Sequence, residues 1–254
     1  MIRNLKLNIT YLKYLGIKQY LKYIFSLNNS LLQVKLFKKK IYIRKNTPDL
    51  IVAISSLGKE FKSLKYLLPF DFDGLIVDAG AYIGTASLAL NDLYPNATII
   101  AIEPSSSNLS VLKRNISKFK NIKIIHSALT SESGNLIDLR NRSTGEWGFT
   151  IVQKPQDKLN ANVIEKISSI SLKEIMKDKI VKEIGILKLD IEGGEMDLLK
   201  NSLSELEKSR VIVAELHERI IPGVQDKFFK FSKNRILIKD DGEKYISIRP
   251  ESFI

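Results

Sequence analysis

The sequence contains no cysteine, which excludes disulfides, thiolate metal sites and a cysteine nucleophile. It has no run of about 18 apolar residues, so no membrane-spanning helix is expected. Near the N-terminus Lys13, Lys18 and Lys22 interrupt every candidate signal core, and the chain is therefore expected in the cytoplasm. A G-x-G-x-x-G loop is missing, as is a glycine-rich loop ending in Gly-Lys-Ser/Thr; the common ways of seating a pyrophosphate need one or the other. Histidine and tryptophan are scarce, at two and one, so a role for either narrows to few positions.

What is present suits a globular protein. The 254 residues are 44% hydrophobic and 27% charged, enough for one large domain, or one domain with a small appendage. Forty Lys and Arg against 28 Asp and Glu leave a net charge of +12. Such an excess fits a polyanionic partner, whether nucleic acid, an anionic membrane or a phosphorylated substrate. It equally fits lysines spread over solvated faces, and only VKLFKKKIYIRK (34–45) is densely basic, which favours the second reading. Residues 9–27, ITYLKYLGIKQYLKYIFSL, mix large apolar side chains with lysines at near-helical spacing. Such a helix can lie on a membrane surface; packing on its own domain or on a homodimer partner is the commoner use.

Residues 1–70 read as an accessory segment of one or two helices, a hairpin through LLQVKLF and IYIRK, and a further helix opened by TPDL. Residues 71–254 read as the main domain. Strand GLIVDA, a helix over 85–93, strand TIIAIE, a helix over 105–119 and strand NIKIIHSAL alternate as βαβ units do. A less regular stretch, 131–171, holds the short extended pieces GNLIDL, WGFTIV and ISSISL. Then follow strand EIGILKLD, helix EMDLLKNSLSELE, strand RVIVAELH, helix GVQDKFFKFS and a hairpin, RILIKDDGEKYISIR, whose Asp241-Gly242 predicts a type I′ turn. The expected fold is α/β: a mostly parallel seven-stranded sheet with helices on both faces and a C-terminal antiparallel hairpin. By analogy of fold, that hairpin points to the class I methyltransferases, which bind S-adenosylmethionine (AdoMet), rather than to a plain dinucleotide-binding domain.

The stretch LIVDAGAYIG ends the first core strand in an acid and two glycines. Ligands of open parallel sheets sit beyond the carboxyl ends of the strands, so Asp78, Gly80, Ala81 and Gly84 are candidate cofactor residues. An acid there suits a cationic or amine-bearing ligand such as AdoMet better than a phosphate. Glu103 ends the second strand about two dozen residues on, the register of a ribose-binding acid. Ser127 and Ala128, after the third strand, are placed at an adenine pocket.

VDAGAYIG, AIEPSSSNLSVLKRNI, LKLDIEGGE and VIVAELH together resemble the FkbM family of AdoMet-dependent methyltransferases. The resemblance spans roughly residues 41–223, and IYIRKNTPDL resembles the family's lead-in. It implies methyl transfer to oxygen, commonly a hydroxyl of a sugar on a glycan, glycolipid or glycosylated metabolite. Asp190 and Glu192 at the end of the fourth strand, and Glu215 and His217 at the end of the fifth, share faces by strand alternation and are expected to converge on the methyl group. His217 titrates near neutrality and is the preferred base, with Asp190 as the alternative. Asp190 also borders the cofactor, and Glu192 and Glu215 face the acceptor. Trp147 is a candidate sugar-stacking ring, and Asp49 and Glu60 are further candidates on the acceptor side. The same four donors suit a divalent cation, a reading not favoured over a metal-free site. A nucleic-acid methyltransferase is disfavoured because the acids of Asp-Ile-Glu-Gly repel phosphates. A non-catalytic AdoMet-binding module remains an alternative.

Overall fold

The computed structural model describes residues 2–157 and 161–253. The chain opens with α1 (Ile2–Phe25), kinked where Gly16 leaves helical geometry, and then forms the hairpin β1 (Leu31–Leu36) and β2 (Lys39–Arg44). Helix α2 (Asp49–Ser55) follows. The core alternation is β3 (Leu75–Ala79), α3 (Thr85–Leu93), β4 (Thr98–Ile102), α4 (Ser106–Ile116) and β5 (Ile122–Ile125). Ser105 caps α4 by accepting the Asn108 N–H, relieving one of the donors that a helix start leaves unpaired.

The expected strand NIKIIHSAL is two strands. After β5 the chain leaves the main sheet, and β6 (Ala128–Leu129) joins β7 (Leu136–Asn141), β8 (Phe149–Thr150) and β9 (Asn162–Ile170) in a separate four-stranded sheet. The stretch that looked irregular in sequence is thus an insert with its own pairing, including a register shift between Leu139 and Arg140. Helix α5 (Leu172–Lys179) starts at Ser171, whose hydroxyl accepts the Glu174 N–H, and leads into β10 (Ile184–Leu189). One expected helix after β10 is broken at Ser202 into α6 (Glu195–Asn201) and α7 (Leu203–Glu207). Then come β11 (Ser209–Glu215), α8 (Val224–Phe231), β12 (Ile236–Lys239) and β13 (Lys244–Ile248).

The main sheet has seven strands in the order β12-β13-β11-β10-β3-β4-β5. The five from β11 to β5 pair in parallel, while β13 pairs antiparallel with both β11 and β12. This is the expected α/β architecture. The terminal hairpin is present, but four residues separate its strands, and of Asp241 and Gly242 only Gly242 has positive φ; a type I′ turn needs both.

Alternation along the strands divides the core into two layers. Ile76, Ile99, Ile186 and Val211 face one layer, shared with α3, α4 and the N-terminal residues Leu15, Ile41 and Leu50. Leu75, Val77, Ile100, Leu187 and Ile212 face the other, against Ile175, Leu198 and Phe228 of α5, α6 and α8. The first seventy residues therefore contribute to the main core. The strand order reverses beside β3, with β4 on one side and β10 on the other, and ligands of such sheets bind at that point.

Candidate active site

A cavity of about 550 Å³ opens at the carboxyl ends of β3, β4, β10 and β11, within the usual range for small-molecule sites. One end is built by the turns after β3 and β4. Gly80 sits at φ 78, where a Cβ would lie 1.8 Å from the Asp190 carbonyl oxygen. That contact leaves room for hydrogen only. Glu103 is buried, and its carboxylate accepts the backbone N–H groups of Tyr82 (2.8 Å) and Ser105 (3.0 Å) and the Asn108 amide (3.2 Å). Burial pushes its pKa up to about 7 despite those donors. Ala81, Ile102, Ala128 and Leu129 give this end an apolar lining.

The other end is crowded with charge. Lys188, Asp190, Glu192 and Glu215 line it with Arg142 from the insert, Arg219 and Lys244. Lys188 stands opposite Asp78 in the β3–β10 register. Its ammonium lies 3.2 Å from Asp78 Oδ1 and 3.4 Å from Asp190 Oδ2, and it donates to the Gly80 carbonyl at 2.9 Å. Burial would lower the Lys188 pKa, but Asp78 and Asp190 raise it, so it stays a cation. Glu192 is held at φ 51, a strained conformation for a residue with a side chain. Thr150 Oγ1 donates to its carbonyl at 2.6 Å and Arg142 donates to its carboxylate, and these contacts fix it there.

Several expected residues lie elsewhere. Asp78 shares the face of Ile76, beneath α3, so it is wholly buried and accepts from Ser87 at 2.6 Å; it is not on the cavity wall, and acts on it through Lys188. Gly84 packs the start of α3 against Ile116 and Leu112 of α4, away from the cavity. Ser127 is buried off the wall, because the chain leaves the main sheet before it; Ala128 is on the wall. Asp49 is buried too, accepting from Arg44 and from the Tyr82 hydroxyl (2.5 Å), whereas Glu60 does line the cavity and pairs with Lys244. Trp147 stands on the wall, 47% exposed, with its indole donating to the Thr144 carbonyl.

His217 is the main correction. It is fully buried behind the carboxylates and does not line the cavity. Strand alternation fails as a guide here because β11 ends at Glu215. Its Nδ1 lies 3.0 Å from Glu195 Oε1, and Glu195 is itself fixed by the Ile191 and Gly193 N–H groups. Its Nε2 faces Glu192, Asp190 and Glu215 at 3.4, 3.8 and 3.9 Å. Burial would lower its pKa, but Glu195 and Glu192 hold it well above the ordinary value. An imidazole that stays protonated is a poor base. Glu215 is the opposite case. It lines the cavity, makes no hydrogen bond among the described residues, and is pushed up to about 7 by burial and by Asp190.

Sequence reasoning missed Lys188, Arg142, Arg219, Lys244 and Tyr82. A lysine inside the otherwise apolar ILKLD was a visible signal for the first. Tyr82 and Arg219 sit within or beside the quoted motifs and were passed over, whereas Arg142 and Lys244 come from distant segments and carried no signal.

A cofactor with an adenosine moiety and a cationic centre fits these residues. Glu103 Oε2 accepts one protein hydrogen bond and keeps acceptor capacity, and the carboxylates at the far end suit positive charge.

A family model described as Methyltransferase FkbM domain matches residues 78–244. Methyltransferase sdnD from Sordaria araneosa is 27% identical over 75% of this chain and 92% of its own length. Hexuronic acid methyltransferase AglP from Haloferax volcanii is 24% identical over 63% of each chain. Among solved structures, precorrin-6y C5,15-methyltransferase from Geobacter metallireducens aligns with a TM-score of 0.42 at 13% identity, covering 75% of this chain and 88% of that one.

Proposed function

The chain belongs to the FkbM methyltransferase family, and from that premise we propose that it methylates a hydroxyl oxygen of a sugar. AdoMet, the cofactor of such an enzyme, supplies an electrophilic methyl carbon. Glu103 is placed to accept the ribose hydroxyls, Ala128 and Leu129 to flank the adenine, and Gly80 to let the backbone pass close by. Asp190 puts negative charge where the cationic centre would lie.

A sugar hydroxyl is a weak nucleophile, so the protein must position it and accept its proton. The observation that carries the reading is the Glu215 carboxylate: on the wall, without a hydrogen bond among the described residues, and steadied by Lys244 at 3.5 Å. It takes the base's role that His217 is buried too deeply to fill. Trp147 offers a flat face, and Arg219 and Lys244 offer donors, as sugar recognition needs. Similarity to a hexuronic acid methyltransferase points the same way.

The test is turnover of AdoMet against a panel of hexoses, hexuronic acids and their glycosides, read as S-adenosylhomocysteine. Glu215→Gln is expected to lower turnover about 10²–10⁴-fold while AdoMet affinity stays within about threefold. Methylation of no sugar in the panel would refute the acceptor class, and undiminished turnover in the variant would remove Glu215 as base.

A further inference from the structure

His217 carries an inference that the methyl-transfer reading does not use. Glu195 is fully buried and accepts the Ile191 and Gly193 N–H groups, so it stands as a carboxylate acceptor toward His217 Nδ1 at 3.0 Å. Nδ1 therefore carries a proton. In the protonated ring Nε2 carries the second proton, and a metal ion displaces that proton to take the Nε2 lone pair. Nε2 is buried and has no hydrogen-bond partner among the described residues. What faces it is more negative charge.

The orientation of the surrounding carboxylates is specific. Asp190 gives Oδ2 to Lys188 and turns Oδ1 toward Nε2. Glu192 gives Oε2 to Arg142 and Arg219 and turns Oε1 toward Nε2. Each acid thus directs the oxygen that its own cation leaves free at the same point as the imidazole. The donor atoms of Asp190, Glu192 and His217 cluster together, with Nε2 3.8 Å from Asp190 Oδ1 and 3.4 Å from Glu192 Oε1, separations that one ion with bonds of about 2.1–2.3 Å spans. Two anionic oxygens and the imidazole nitrogen aimed at one point call for positive charge at their centre, which a proton supplies in part and a divalent ion supplies more fully.

We propose that Asp190, Glu192 and His217 bind one divalent metal ion, with Glu195 as the carboxylate that orients the histidine. Two oxygens and one imidazole favour ions of the Mn²⁺ type over thiophilic ones. The carboxylate–histidine pair is the usual outer support of such a ligand. Asp190 and Glu192 line the cavity, so the remaining coordination positions open to it. There the ion polarises the acceptor hydroxyl, and Glu215, 3.9 Å from Nε2, takes the proton. This last step rests on the function proposed above; the coordination itself does not.

The experiment uses the full chain, stripped with chelator and titrated with MnCl₂ in the absence of any acceptor. Electron paramagnetic resonance should show one bound Mn²⁺ per chain, and pulsed measurement should show coupling to one imidazole nitrogen. His217→Gln should lose that coupling and weaken binding at least about tenfold, and Asp190→Asn should weaken it similarly. Because His217 is buried, AdoMet titration and circular dichroism check that its variant folds; should it not, Asp190→Asn carries the test. Three outcomes overturn the proposal: no Mn²⁺ bound at millimolar concentration, Mn²⁺ bound without nitrogen coupling, or a folded variant with unchanged affinity. AdoMet binding without Mn²⁺ would overturn the metal alone, and Mn²⁺ binding without AdoMet would overturn the cofactor reading alone.

Discussion

The two ends of the cavity are built by different physics. At the end formed after β3 and β4, the turns bring backbone amides together, and one buried carboxylate, Glu103, gathers two of them. Its parts are near one another in sequence. At the end formed after β10 and β11, order comes from paired charges that arrive from far along the chain. Arg142 reaches Glu192 across 50 residues and Lys244 reaches Glu60 across 184. The first end depends on what the backbone can adopt; the second depends on neutralising acids that burial would otherwise penalise.

That contrast is broken most severely at Arg142. It is buried and donates to Glu192, to Asp157 and to the Gly148 carbonyl. Arg142→Met is expected to cost about 3–5 kcal/mol, the usual result of stranding a buried partner, measured by urea unfolding. Adding Glu192→Gln should restore part of the loss, because the stranded charge is then gone. A cost below about 1 kcal/mol would show that the charged end is held by something other than its pairs.

At the other end, Gly80→Ala should cost on the order of 3 kcal/mol. The obstacle is a carbonyl oxygen 1.8 Å from the new Cβ, at φ 78, and backbone cannot step aside as a flexible side chain can. AdoMet affinity should fall with stability, since the same turn shapes the cofactor end. Unchanged denaturant midpoint and affinity would mean that the turn adapts, and the backbone account of this end would be wrong.

The same contrast explains what was legible in the sequence. Glycine spacing and strand alternation report local backbone geometry, so the alternation of core strands and helices, the helix over 85–93 and the places of Gly80 and Glu103 were readable. Asp78 was misplaced because its face along β3 was not weighed against its position at the strand's end. His217 and Glu192 were judged by alternation beyond the ends of β11 and β10, where that rule no longer applies. The acids of DIEGGE could be read as functional, but not Arg142, which orients Glu192 from the insert. Arg142 sits in an insert whose four-stranded pairing has no periodic signature, and nothing near Lys244 marks it as a neighbour of Glu60.

A gentler probe of the backbone-built end is its single acid. Burial raises the Glu103 pKa from 4.5 to about 7, so between those values the unfolded chain ionises while the folded one keeps its proton. Stability from this group is therefore complete below about pH 4.5 and declines as pH rises toward 7, then levels off. Ribose hydroxyls donate to the carboxylate and favour its ionised form, so binding should release a proton below neutrality. AdoMet affinity is then expected to weaken by up to about tenfold for each pH unit below 7. Glu103→Gln should bind more weakly at pH 8 and show a flat profile between pH 5 and 7, because no proton remains to be released. Calorimetry in buffers of different ionisation enthalpy reads that proton directly. A variant keeping the wild-type slope would assign the titration to the charged end, and the two ends would no longer be electrostatically separate.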